Sequence, residues 1–275
     1  MEVRRLSRRF FHKRGERLKL LLTNDDGIYA AGLAELWSAL KEIAEITVVA
    51  PDRERSATGH GITVDRPLRA EHLPMFEGRA WAVDGTPADC VKLAVNCLLE
   101  ERPDLVVAGI NRGPNLAIDV LYSGTVSGAL EGIILGIPAL AVSVAEYERP
   151  DYRYAALFTK MLIPKVLHSS ICRDTLLNVN VPSLPASEVE GVRITRLGSR
   201  RYRNSFEVRT DPRGRKYYWL NGNIMDAEDE ADAADTDVAA IGKKMISITP
   251  IHLDLTNYRA LDLLREMTLD LKGEQ

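Results

Sequence analysis

Asp25 and Asp26 stand side by side, immediately before Gly27. Two neighbouring carboxylates keep their charge only if something positive sits between them. A metal site meets that need if the turn at Gly27 lets both side chains reach one pole. A helix N-cap followed by a turn acid is the plainer reading of the same residues. Asn111, in Asn111-Arg112-Gly113-Pro114-Asn115, offers a side-chain carbonyl to a cation or an amide to a phosphate. It can equally satisfy backbone groups in a tight turn. Tyr122-Ser123-Gly124-Thr125 places two hydroxyls and a glycine where a helix begins. The N–H groups of such a helix start form a cradle for an anion; plain capping by Ser123 or Thr125 is the alternative. Ser56 is a further oxygen on a loop. The candidate ligands are all oxygens, and hard oxygen ligands select magnesium or manganese over zinc. His12, His60, His72, His168 and His252 form no HxxxH or HxH pair. Of these, His60 lies in a candidate loop, as an acid, a base, a phosphate contact or an idle surface residue.

Missing motifs narrow the chemistry. The sequence has no GxxxxGK[ST] loop, no GxGxxG fingerprint and no GxSxG elbow, which disfavours a GTPase, a dinucleotide-dependent dehydrogenase and a serine hydrolase. An aspartyl nucleophile usually wants two acids spaced DxD, and here the acids are adjacent. Ser123 and Thr125 have no base beside them in sequence to activate them. Water, activated by a metal, is the remaining attacker.

These residues need elements to bring them together. Leu18 to Thr23 is a short apolar run ended by a turn, hence a buried strand. Leu33, Leu36, Leu40 and Ile43 recur at helical spacing. Ile46 to Ala50, Ala80 to Val83, Leu105 to Ile110 and Ala139 to Val144 read as strands. Thr86-Pro87-Ala88-Asp89 starts a helix to about Leu99, with an N-cap, a first-turn proline and an acid at the third position. Another helix spans Val126 to Leu135. Strands alternating with helices imply right-handed βαβ units and a mostly parallel sheet. In such sheets ligands bind at the carboxyl ends of the strands. Asn24 to Gly27, Arg55 to Gly61 and Asn111 to Thr125 all follow strands at that edge and are expected to converge. The second half is less regular: a helix over Tyr154 to Leu167 kinked at Pro164, and strands at Leu176 to Val181, Val192 to Leu197, Tyr217 to Leu220 and Met245 to Thr249. Asp211-Pro212-Arg213-Gly214 forms the tip of a hairpin arm. Asp226 to Asp237 is an acidic loop, and Thr256 or Asn257 caps a final helix through Leu271.

The chain has 275 residues, 45% hydrophobic and 27% charged, with net charge -3. That composition fits a globular protein and offers no bulk attraction to a nucleic-acid duplex. No apolar run approaches membrane-spanning length. Cys90 and Cys97 lie too far apart on one helix to pair, and Cys172 stands alone, a pattern that suits a reducing compartment. Ser7-Arg8-Arg9-Phe10-Phe11 resembles a twin-arginine signal but lacks the apolar stretch and cleavage site behind it. Residues 1–17 are expected to be a solvated basic tail.

Five segments in order, Thr23 to Gly27, Ala50 to Ser56, Gly85 to Val91, Gly109 to Asn115 and Tyr122 to Val126, resemble the stationary-phase survival protein E (SurE) family. Asn178-Val179-Asn180-Val181-Pro182, Asp211-Pro212-Arg213-Gly214 and Ser247-Ile248-Thr249-Pro250 extend the resemblance to most of the chain. It implies an α/β fold. A Rossmann-like, mostly parallel sheet occupies 18–150, and a smaller, less regular region, 151–275, completes the core and carries the hairpin arm and final helix. It implies a cytoplasmic, metal-dependent phosphomonoesterase acting on nucleoside 5′-monophosphates, with 3′-monophosphates or short polyphosphate as secondary candidates. One divalent cation per subunit, Mg2+ or Mn2+, would be held by Asp25, Asp26, Ser56 and Asn111. Asn24, Ser123, Gly124 and Thr125 would meet the phosphate. Asp25, Asp26 and Asn111 would carry catalysis. The assembly would be a homodimer or homotetramer built through the arm and an exchanged C-terminal segment. A nucleotide-sensing module that binds without hydrolysing is the rival. Two departures stand out: Ala30-Ala31-Gly32 where the family often has Ala-Pro-Gly, and Ala57-Thr58-Gly59-His60-Gly61 where many members carry more serine.

Overall fold

The structure is a computed structural model that describes residues 17–169, 174–203, 206–220, 223–226 and 234–267. The basic tail before residue 17, Cys172, most of the acidic loop and the expected end of the last helix lie outside the described residues.

In chain order the first half runs β1 (Leu18–Thr23), α1 (Ala31–Leu40), β2 (Ala44–Pro51), β3 (Ala70–Leu73), β4 (Ala80–Val83), α2 (Pro87–Leu93), β5 (Leu105–Arg112), α3 (Gly124–Ile134) and β6 (Ala139–Val144). The second half runs α4 (Arg153–His168), β7 (Thr175–Val181), β8 (Val192–Ile194), β9 (Arg200–Arg203), β10 (Phe206–Thr210), β11 (Lys216–Leu220), β12 (Asn223–Asp226), α5 (Asp237–Gly242), β13 (Ile246–His252) and α6 (Tyr258–Glu266). Nine strands form one sheet in the order β3-β4-β2-β1-β5-β6-β7-β13-β8. The pairings from β4 through β7 are parallel, while β3 and β13 run antiparallel to β4 and β7. The sheet therefore crosses residue 150 without a break.

Successive strand residues face opposite sides, so one strand feeds two cores. Leu20 and Leu22 pack with Leu33, Leu36 and Leu40 of α1 and Ala155 and Ile163 of α4. Leu21 packs on the other face with Cys90 and Val91 of α2 and Val126, Ala129 and Ile133 of α3. Burial on both faces explains the unbroken apolar run of β1.

Helix α3 lies unusually close to the sheet because Gly124, Gly128 and Gly132 recur every fourth residue and so share one face. A Cβ on Gly128 would sit 3.0 Å from Thr23 Cγ2, and one on Gly132 would sit 3.0 Å from Val106 Cγ2. Helix α1 makes a similar approach at Gly32, against the Ile110 carbonyl. Ala31 occupies the first helical position of α1, and Gly32 after it makes the contact that packing requires.

Several elements differ from expectation. The helix from Pro87 ends as α-helix at Leu93 and continues as a π-helical turn, Ala94–Leu98. Strand β8 stops at Ile194. Strand β3 gave no apolar alternation because it is an edge strand with one buried residue, Leu73. Asp237 opens the short helix α5 and does not end a loop. The Thr86 capping box is present, with Thr86 and Asp89 each accepting from the other's backbone N–H. Pro164 lies inside α4.

Gly132→Val tests the close packing. Filling that contact is expected to cost about 1–3 kcal/mol and to lower the melting temperature by several degrees. An unchanged melt would show that α3 can move away from β5 freely.

Candidate active site

The chain leaves β1 toward β2 on one side and later returns to β5 on the other, so β1 and β5 flank the point where strand order reverses. The crevice at that point is the standard ligand site of an open α/β sheet. The turn after β1 is held by the Asn24 amide, which donates to Gly27 O at 2.9 Å. Gly27 has φ +98°, and a Cβ there would meet the Arg53 backbone at 3.1 Å.

This turn sends Asp25 inward, where it is 4% exposed, and leaves Asp26 half-buried. The Thr125 hydroxyl donates to Asp25 Oδ1. Gly124 is so close that a Cβ on it would stand 2.7 Å from Asp25 Cβ. Asp25 thus lies against the N-terminus of α3, where the helix dipole favours negative charge. Ser123 is the N-cap, its hydroxyl accepting from Val126 N at 3.0 Å. Asp26 Oδ2 accepts from the Arg112 amide at 3.1 Å. The Arg55 amide donates to Asp25 O at 2.7 Å, bringing the loop after β2 to the same turn. The expected convergence of three loops is present.

The remaining candidates are arranged as follows. Asn111, at the end of β5, donates its amide to Gly113 O at 2.8 Å, which leaves its carbonyl as the end suited to a cation. Ser56 is exposed, its hydroxyl donating to Glu54 Oε1 at 2.7 Å. The capping and cradle readings of Ser123 and Thr125 turn out to be compatible. Their hydroxyls serve the cap and Asp25, which leaves the backbone of the first helical turn, whose N–H groups lack helical partners, as the part suited to an anion. The amide nitrogen of Asn24 is used within its own turn, so its other end can only accept.

Burial pushes the Asp25 carboxyl up to about 6, with the charge of Asp26 adding to the rise and the Thr125 hydroxyl opposing it. Burial also raises Asp26, against the Arg112 amide and guanidinium. Asn24 Oδ1 and Thr23 Oγ1 are buried with no partner. Two under-neutralised carboxylates beside an orphaned acceptor oxygen form a donor set that fits a hard divalent cation.

Sequence reasoning missed part of the support. Arg112 acts here through its amide, which no side-chain motif signals. Asn115 is the hub of a buried network: its amides donate to Asn180 Oδ1 at 2.8 Å and Ser143 Oγ at 2.9 Å, and its carbonyl accepts from Asn178 and Asn180. Asp237 Oδ2 accepts from Ala117 N at 2.8 Å. His60 bonds to Glu131, a buried residue of α3 with no sequence signature. A cavity of about 350 Å³ lies at the opposite edge of the sheet, lined by Lys19, Thr47 and Trp81 among others. None of its lining residues is a candidate ligand. Among the described residues no helix is long and apolar enough to cross a membrane.

The family model for survival protein SurE matches residues 20–204. The chain is 55% identical over 244 residues to the 5′-nucleotidase SurE of Heliobacterium modesticaldum, covering 88% of each chain. It is 53% identical over 262 residues to that of Carboxydothermus hydrogenoformans, covering 93% of this chain and 98% of the relative. The crystal structure of the SurE protein from Aquifex aeolicus is similar with a TM-score of 0.78 at 42% identity, covering 90% of this chain and 98% of that one.

The raised Asp25 carboxyl has a stability consequence. Its folded pKa, about 6, exceeds the unfolded value of 3.8, so the metal-free fold prefers the protonated form and loses stability as pH rises through that window. Metal-free Asp25→Asn is expected to melt above the parent at pH 7.5, and the gap should close toward pH 4. A gap independent of pH would show that Asp25 titrates normally.

Proposed function

The chain belongs to the SurE family, and from that premise we propose that it is a 5′-nucleotidase releasing phosphate from nucleoside 5′-monophosphates with one divalent cation, magnesium or manganese. The observation that carries the reading is the contact of Asp25 with the N-terminus of α3. It sets a carboxylate suited to a cation beside a helix end suited to a phosphate. Asp25, Asp26, Asn111 and Ser56 would hold the cation. When bound, the cation lowers the pKa of a water and draws charge from the phosphoryl group.

The chain's own residues orient the rest. The Thr125 hydroxyl fixes Asp25, and the Arg112 amide fixes Asp26. Ser123 caps the first turn of α3. The backbone at Gly124 and Thr125 then faces the phosphate oxygens, and the helix N-terminus offsets charge that builds on them in the transition state. Asn24 holds the turn through its amide, and its place beside the carboxylates puts it among the proposed phosphate contacts. With both carboxylates engaged as ligands, Asp25 is not free to take the proton of the Thr125 hydroxyl that donates to it, and the Ser123 hydroxyl is committed to the helix cap, so water attacks in line and the 5′-oxygen leaves. 3′-Monophosphates and short polyphosphate present the same terminal phosphoryl group and belong to the same proposal, as does a cytoplasmic location.

A homodimer or homotetramer is also proposed. The β10–β11 ribbon exposes Phe206, Val208, Tyr217, Tyr218, Trp219 and Leu220. So much apolar surface on a two-stranded ribbon supports a role as an assembly arm.

Asp26→Asn should remove most phosphate release from AMP at saturating manganese while leaving the fold intact; near-normal turnover would remove Asp26 from the ligand set. Gly124→Ala should lower turnover by about 10²-fold, the scale for disturbing one preorganised donor, because its methyl group displaces Asp25. Hydrolysis of a chiral, isotope-labelled phosphate ester should proceed with inversion at phosphorus. Retention, or a phosphoenzyme trapped by acid quench, would return a side-chain nucleophile to the mechanism. Binding of AMP without any phosphate release would favour the sensing role.

A further inference from the structure

Residues 55–63 cross from the end of β2 toward α2 and α3 without regular secondary structure. No strand ladder places them, so side-chain and loop bonds must. Gly59 N donates to Tyr122 O at 3.0 Å, just ahead of the α3 cap. Thr86 donates to Gly61 O at 2.7 Å. Thr63 donates from both its amide and its hydroxyl to Asp89, at 3.0 and 2.6 Å. Between these tethers, His60 Nε2 lies 2.9 Å from Glu131 Oε2.

Glu131 is 1% exposed and points from α3 beneath this strap. Its second oxygen accepts from Lys92 Nζ at 2.8 Å. Burial would push this carboxyl up, but the bonds from His60 and Lys92 outweigh it and hold it below the usual range. A buried, doubly bonded carboxylate is costly to keep without its partners and gives a rigid anchor with them. Ser56 is held on one side by the Arg55 amide, which donates to Asp25 O, but it is itself exposed, its hydroxyl reaches only Glu54 on the same loop, and its far side follows the strap. Where Ser56 stands therefore depends on the path of the strap.

We propose that Glu131 and His60 are a positioning pair that ties the 55–63 strap to α3 and thereby sets Ser56 for cation binding. Neither touches the substrate. The same helix then governs both halves of the site, Asp25 through its first turn and Ser56 through its third. The proposal rests on Ser56 as a cation ligand, so its test separates the two ideas.

Amide exchange across 56–63 and manganese affinity by calorimetry are measured on wild type, Ser56→Ala, Glu131→Ala, His60→Ala and the Ser56→Ala/Glu131→Ala double variant. Glu131→Ala and His60→Ala should speed exchange in the strap. Each should weaken manganese binding about 10-fold or more, the scale for losing outer support of a metal ligand. The double variant should bind no more weakly than Ser56→Ala alone, because both changes act through one residue. Unchanged strap exchange in both Glu131→Ala and His60→Ala overturns the proposal. So does faster exchange with wild-type affinity where Ser56→Ala weakens binding, or full additivity in the double variant. If Ser56→Ala binds manganese like wild type, the ligand assignment falls, and so does the strap's effect on the cation through Ser56. If Glu131→Ala fails to fold, His60→Ala and Ser56→Ala/His60→Ala carry the same comparisons, since His60 is partly exposed.

Discussion

A helix can approach a sheet only as closely as the residues between them allow, and at α3 those residues are glycines. Gly124, Gly128 and Gly132 put backbone where side chains would otherwise stand. The approach brings the start of the helix to the end of β1, and Asp25 meets it there. A larger residue at any of the three positions would move the helix end by a fraction of an ångström or more. At a site built on hydrogen bonds of about 3 Å, such a shift is large. The Thr125 bond to Asp25 depends on that approach.

The same economy of space leaves the carboxylates poorly served by the protein itself. The partners of Asp25 and Asp26 are a hydroxyl and backbone N–H groups, with the Arg112 guanidinium exposed at the rim. A site optimised for stability would neutralise them more fully. Support comes from further out. Asn178 and Asn180, polar residues in a buried strand, grip Asn115 beyond the end of β5, and Asp237 grips Ala117. The second half of the chain thus holds the loop that leads from Asn111 to α3, although it contributes none of the proposed ligands.

What was legible in the sequence follows from where each signal resides. The adjacent acids, the loop after β5 and the helix start at Ser123 follow strands of strong apolar character, and βαβ geometry puts such loops at one edge. Their convergence could be argued from pattern alone. The hydroxyl partners could not, because a serine or threonine at a helix start reads the same whether it caps, binds an anion or holds a carboxylate. Glu131 escaped notice because a lone acid on a helix is ordinarily solvated, and only the fold turns its face inward beneath His60. Strand β3 escaped because an edge strand with a single buried residue has no periodicity to read. The π-helical turn ended α2 within a pattern that looked helical to Leu99.

The place of β13 between β7 and β8 has a consequence for how the chain is made. Among the described residues β8 joins the sheet through β13, which begins 52 residues after β8 ends. At roughly 5–20 residues per second of synthesis, that is roughly 3–10 s. During this interval the nascent chain has its parallel half in hand, while β7 offers bare backbone along one side. Such an edge invites pairing with any passing strand. A message truncated between codons 182 and 246 would make that exposure permanent, and its product would carry every proposed ligand of the site on a sheet left open.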